Sequence, residues 1–184
     1  MLKKSIPIIF FVFILPVTAI HSAEELRFRR ITKEDGMLSD ECNSVLYDSR
    51  GFIWVFLDNG ISKYDGYKFT NYIHDPNDKN SLPSLEYYID PVEDKFSNIW
   101  FKAGNKGVIC YYRKLDIFIH HYHIPGIATS LSHNHVSEIL LDKNKELWFA
   151  TQDGLNHYNY HDGSFTCYKH NTNDTNSICN NHIF

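Results

Sequence analysis

Asp48-Ser-Arg-Gly-Phe-Ile-Trp54 recurs along the chain as Asp94-Lys-Phe-Ser-Asn-Ile-Trp100 and again as Asp142-Lys-Asn-Lys-Glu-Leu-Trp148. The Asp-to-Trp step is six residues each time. Further landmarks follow in phase. Gly60 and Tyr64, Gly107 and Tyr111, and Gly154 and Tyr158 stand four residues apart, and successive glycines are separated by 47 residues. An aromatic pair comes next: Phe69 with Tyr72, Phe118 with Tyr122, Phe165 with Tyr168. Ser81-Leu82, Ser130-Leu131 and Ser177-Ile178 close each unit. Landmarks that keep one order three times define a repeat, running roughly over 38–82, 83–131 and 132–178, with 179–184 opening a fourth.

A period near 47 residues lies among the lengths of propeller blades. Within the first repeat, Ser44–Tyr47, Phe52–Leu57, Ile61–Tyr64 and Lys68–Tyr72 read as four short strands, divided by the turns Asp48–Gly51, Asp58–Gly60 and Asp65-Gly66. The second strand has two apolar faces, because alternate residues point opposite ways. Phe52, Trp54 and Phe56 form one face; Ile53, Val55 and Leu57 form the other. Such a strand needs cover on both sides, as a blade between two neighbours has. The expected fold is therefore all-β: a partial β-propeller of about three four-stranded antiparallel blades, an incomplete ring. The repeat residues Asp48, Trp54, Gly60, Tyr64, Phe69, Asp94, Trp100, Gly107, Tyr111, Phe118, Asp142, Trp148, Gly154, Tyr158 and Phe165 are assigned to structure, since they recur in every unit.

At the N-terminus, Lys3 and Lys4 precede an uncharged apolar run from Ile6 to Ile20, and small residues follow at Ser22 and Ala23. This is the pattern of a secretory signal peptide over 1–23, so 24–184 is expected to be exported, with no membrane span after cleavage. The composition of the whole chain is that of a globular protein: 43% hydrophobic, 15% aromatic, formal net charge −4. A basic nucleic-acid footprint is absent. Cys42, Cys110, Cys167 and Cys179 form no CxxC pattern and read as scattered buried thiols. His120, His121 and His123 cluster, as do His133 and His135, but strand alternation splits the first group between two faces, so no metal site is assigned. No catalytic residue and no cofactor is assigned either. Ligand contacts are expected in the loops Ile73–Asn80, His123–Thr129 and Lys169–Asn176, read as non-repeating.

Leu147-Trp-Phe-Ala-Thr-Gln-Asp-Gly-Leu155, Asn59-Gly-Ile-Ser-Lys-Tyr-Asp-Gly-Tyr-Lys-Phe69 and the lead-in Asp35-Gly-Met-Leu-Ser-Asp-Glu-Cys-Asn-Ser-Val45 resemble two-component regulator propeller repeats. The resemblance extends over roughly Leu26 to Phe184. It implies the N-terminal part of a periplasmic sensor propeller of a hybrid histidine kinase, responsive to an oligosaccharide and continuing, in full-length relatives, into an inner-membrane anchor, kinase and phosphorelay domains. On that reading the chain is a fragment whose partner is the remainder of the receptor or a second copy. The alternative is a stand-alone exported propeller that binds or scaffolds, and behind it an exported propeller hydrolase or lyase. Departures from the pattern are Phe56-Leu57 after the first Trp, one extra residue between Trp100 and Gly107, and Ser97 and Lys145 where the first turn has Gly51.

Overall fold

β-branched and aromatic residues alternate with Asp- and Gly-centred turns, and each such alternation becomes one hairpin. The computed structural model describes residues 28–83 and 89–184; the signal peptide read over 1–23 lies outside the described residues. Blade 1 contains β1 (Ser44–Tyr47), β2 (Ile53–Leu57), β3 (Gly60–Tyr64) and β4 (Phe69–Tyr72). Blade 2 contains β5 (Ile89–Glu93), β6 (Ile99–Lys102), β7 (Val108–Tyr112) and β8 (Ile117–His121). Blade 3 contains β9 (Val136–Leu141), β10 (Leu147–Thr151), β11 (Gly154–Asn159) and β12 (Ser164–Tyr168). Each blade is a separate four-stranded antiparallel sheet with strands in chain order. The fold is all-β and propeller-like. Its only helical pieces among the described residues are single 3-10 turns at Lys33–Asp35 and Gly104–Lys106.

The pairing corrects one sequence alignment. Ile61 faces Tyr72, Val108 faces His121, and Leu155 faces Tyr168. His121, and not Tyr122, is therefore the counterpart of Tyr72 and Tyr168. The three pack on the tryptophan of their own blade: Tyr72 stacks on Trp54 at 6.0 Å and His121 on Trp100 at 5.1 Å, while Tyr168 lies tilted against Trp148 at 5.8 Å.

Two apolar seams join the blades. At the first, Trp54, Phe56 and Ile61 of blade 1 meet Ile99, Phe101, Ile109 and Tyr111 of blade 2, with Leu82 plugged between them. At the second, Trp100, Val108 and Cys110 meet Leu147, Phe149 and Phe165, with Leu131 as the plug. The alternation in β2 and β6 thus does what the pattern requires: one face per neighbour. The opposite face of blade 1, with Leu57 fully buried, is approached by the lead-in, whose Leu38 N–H donates to Ser62 Oγ at 3.1 Å.

Trp54 and Trp100 are buried, but Trp148 is half-buried. The equal burial that the common phase predicts does not hold, because among the described residues no fourth sheet covers the far face of blade 3. The cysteines also differ from their reading as buried thiols: Cys110 is buried, Cys167 is intermediate, and Cys42 and Cys179 are exposed.

Candidate functional site

The six-residue Asp-to-Trp step is a clamp. Asp48 Oδ1 accepts from the N–H groups of Arg50 and Phe52, both at 2.9 Å, and Oδ2 accepts from Trp54 Nε1 at 2.7 Å. Asp94 does the same with Phe96, Asn98 and Trp100, and Asp142 with Asn144, Glu146 and Trp148. One carboxylate closes the turn and orients the seam tryptophan. Ser97 and Lys145 hold φ of 65° and 63°, in the same left-handed region as Gly51 at 87°, so the clamp imposes the turn even where glycine is missing. Gly60, Gly107 and Gly154 meet the last strand of their blade. A Cβ on Gly107 would lie 2.2 Å from the His121 carbonyl oxygen.

The loops expected to carry ligand contacts also prove to be repeats. His74, His123 and His170 each pair Nδ1 with the carbonyl oxygen of Leu82, Leu131 or Ile178 at 2.7–2.8 Å. Ser81, Ser130 and Ser177 each accept from the N–H of Asp75, Ile124 or Asn171 at 2.9–3.0 Å. Loops of one repeated geometry, differing in composition, are part of the frame. His120 bonds the Lys106 carbonyl, and His133 accepts from the His135 N–H. Among the described residues no three His, Cys, Asp or Glu side chains gather as metal ligands.

The seams differ where the repeats should match. At the first seam Lys63, paired with Trp54 across the sheet, extends beside four rings. Its ammonium lies 5.3–5.8 Å from the centroids of Phe52, Trp54, Tyr72 and Tyr111 and donates to Tyr72 Oη at 2.8 Å. Both Tyr72 and Tyr111 donate to Asp116 Oδ1, at 3.0 and 2.6 Å. Burial lowers the pKa of Lys63, with Asp116 opposing that shift. The hydrogen bond from Tyr111 leads the causes that hold Asp116 below the usual carboxylate range. Arg113 donates from Nε to the Ser97 carbonyl at 2.6 Å and from Nη2 to Asp48 Oδ2 at 2.7 Å. Burial works against the charge of Asp48, but the bonds from Trp54 and Arg113 outweigh it and lower its pKa.

At the second seam Cys110 stands opposite Trp100, in the place of Lys63. His121 replaces Tyr72, Gly163 replaces Asp116 two residues before the blade's phenylalanine, and Tyr160 replaces Arg113 two residues after its tyrosine. The charged plug is gone, and a cleft of about 750 Å³ opens, lined by Cys110, His121 and Tyr160 with Asp94, Phe96 and Ile119. Asp94 is filled: beside its clamp bonds, Asn98 Nδ2 donates to Oδ2 at 3.1 Å, where Arg113 serves Asp48. Burial pushes the Cys110 thiol up, so it is no nucleophile at neutral pH. Burial likewise drives the His121 pKa down to about 4, with His120 adding to the shift. Tyr160 Oη is buried without a hydrogen-bond partner among the described residues. This cleft is the candidate site. Sequence reasoning missed it because its signal is an exception at one seam, visible only once the strands are in register.

The chain is a run of propeller blades. Its third lead-in and second strand, residues 130–153, match the two component regulator propeller family, so the chain carries that repeat. Among solved structures, it resembles the extracellular domain of BT3049 from B. thetaiotaomicron, described as a hybrid two component system, with TM-score 0.68 and 21% identity over 84% of this chain. The chain covers only 21% of that structure. A streptogramin B lyase aligns over 70% of this chain and 40% of its own at TM-score 0.49 and 21% identity. Virginiamycin B lyase from Staphylococcus aureus gives 0.49 at 19% identity over 69% of this chain and 40% of its own. No curated protein matches the sequence. Among the described residues no helix is long and apolar enough to cross a membrane.

Proposed function

We propose that the chain is part of the periplasmic ligand-sensing propeller of a two-component regulator, and that it answers to an oligosaccharide. The observation that carries the reading is a two component regulator propeller repeat on a frame of blades whose second seam is open where the first is plugged. Binding, not catalysis, suits such a site. Its carboxylate is saturated by four neutral donors, its imidazole is buried and neutral, and its thiol is held protonated. The apolar leader Ile6–Ile20 supports export. Signalling would follow if a ligand wedged between blades changes their packing, since a ligand shifts an equilibrium only by its differential affinity for the two states.

Calorimetric titration of the full chain against a panel of oligosaccharides, amino acids and divalent metals tests this reading. Saturable binding of at least one oligosaccharide is expected. Binding of a metal or an amino acid alone would sink it.

A further inference from the structure

The second seam is the first seam with its charged plug deleted, and what remains in the cleft is specific in chemistry. Its ionic lining is Asp94 against Arg50, Arg113 and Lys114. Asp94 is 5% exposed and all its lone-pair directions are taken by Phe96 N, Asn98 N, Asn98 Nδ2 and Trp100 Nε1, so it offers a ligand little. Arg50 and Lys114 are exposed. Arg113 spends Nε on Ser97 and Nη2 on Asp48, with Glu93 Oε1 3.8 Å from the same Nη2, so its charge is matched within the chain. That leaves Arg50 and Lys114 as the exposed cations at the rim of the cleft. Its walls carry exposed apolar surface: Phe96 is 60% and Ile119 38% exposed. Tyr160, packed edge-on against Phe96 at 5.1 Å, brings the unpartnered hydroxyl.

We infer that the cleft between blades 2 and 3 binds a small organic anion: a carboxylate, or a group of like charge, held by Arg50 and Lys114, on a flat or apolar body lying against Phe96, Ile119 and Tyr160. The ligand occupies the space that Lys63 fills one seam earlier, and it supplies the partner that Tyr160 Oη lacks. The inference rests on the ligand-sensing reading above and narrows it to acidic ligands. Specificity follows from the rule that a buried hydroxyl left without a partner is costly, and that ion-assisted hydrogen bonds are about twice as strong as neutral ones.

The test uses three matched probes on the full chain: benzoate, benzamide and benzylamine, titrated by heteronuclear NMR. Benzoate should bind saturably, shifting Tyr160 and Ile119 signals, with benzamide and benzylamine at least about tenfold weaker. Arg50→Glu with Lys114→Glu, both exposed and outside every seam contact, should weaken benzoate about tenfold and leave the melting temperature unchanged. Tyr160→Phe should weaken it about threefold while the protein becomes no less stable, because the variant removes an unsatisfied buried hydroxyl. Equal binding of the three probes, preference for benzylamine, absence of saturable benzoate binding, or indifference to the charge reversal would overturn the inference. If neutral oligosaccharides bind and benzoate does not, this inference fails and the sensor reading stands. If benzoate binds here and no oligosaccharide binds, the anion site stands and the oligosaccharide reading fails.

Discussion

His121 makes the second seam acid-labile, and replacing it by tyrosine should remove that lability. The ring is stacked on Trp100, and its edge contacts reach Tyr158 and Phe165 across the seam. Burial, with a smaller push from His120, holds its pKa down at about 4. An unfolded chain titrates near 6.5. Below that value the unfolded state takes up a proton that the folded state refuses. The unfolded state then binds more protons, so stability falls as pH falls. The contribution is fully present above 6.5 and is lost progressively as pH drops towards 4. Between pH 7 and pH 5 the loss integrates to about 2 kcal/mol. For a chain of this size that is about 4–8 °C in melting temperature. Asp48 and Asp116 also have lowered pKa values in the folded state, but their contribution is lost only as pH falls below about 4, outside this window. The assay is urea unfolding of the full chain and of His121→Tyr at pH 7 and pH 5. Tyrosine is the residue that Tyr72 and Tyr168 supply at the equivalent place, and the stack on Trp100 has a precedent in Tyr72 on Trp54. His120, whose pKa burial also lowers, is present in both proteins and cancels in the difference. The variant should lose about 2 kcal/mol less than the parent over the interval. Equal losses would refute the reasoning, and with it the claim that His121 is buried as the neutral ring.

The clamps should differ in worth: Asp94→Ala strands a buried indole N–H and two turn N–H groups and should cost about 3 kcal/mol, whereas Asp142→Ala, with a 3.4 Å indole bond and a half-buried Trp148, should cost clearly less. Chemical denaturation of the two variants side by side measures the gap. Gly107→Ala forces a Cβ onto the His121 carbonyl in a left-handed backbone and should cost about 3 kcal/mol by the same assay, while Gly66→Ala, with nothing within 4 Å, should cost about 1. Lys145→Gly relieves a positive φ on an exposed side chain and should raise the melting temperature by a few degrees at most, corresponding to about 1 kcal/mol or less.

The frame was legible because its packing repeats. A tryptophan at one phase in three units points to one physical environment, and the apolar faces of Phe52–Leu57 already require two neighbours. Errors came where one residue type substitutes for another within a preserved geometry. His121 takes the place of a tyrosine through its flat ring: Phe69–Tyr72 and Phe165–Tyr168 are each three residues apart, as Phe118–His121 is, but matching by residue type leads to Tyr122 until β7 and β8 are paired. The burial of Trp148 was misjudged for a different reason: phase fixes a position within a blade, while exposure depends on what lies beyond it. The loops at 73–80, 123–129 and 169–176 have in common the histidine within each stretch and the serine just after it, and the first and third also share Asn77/Asn173, Asp78/Asp174 and Asn80/Asn176. The histidine and the serine form the same bonds each time, so the loops share one backbone frame whatever their remaining composition.

In a repeat protein each position is sampled several times under nearly the same constraints, so the residues that every blade shares carry the frame and the residues that one seam lacks carry information of another kind. The first seam holds a self-consistent charge set: Lys63 with Asp116 through two phenols, and Arg113 with Asp48. Deleting Arg113 would strand the buried Asp48, at a cost of several kcal/mol. At the second seam the members change together. Lysine becomes Cys110, aspartate becomes Gly163, tyrosine becomes His121, and Asn98 takes over the carboxylate bond that Arg113 makes at the first. Drift at random would leave a half-broken network, with one charge uncompensated. A concerted exchange that satisfies Asp94, neutralises the floor and leaves a lined cleft with one unpaired hydroxyl is the pattern expected where the occupant is meant to come from outside the chain.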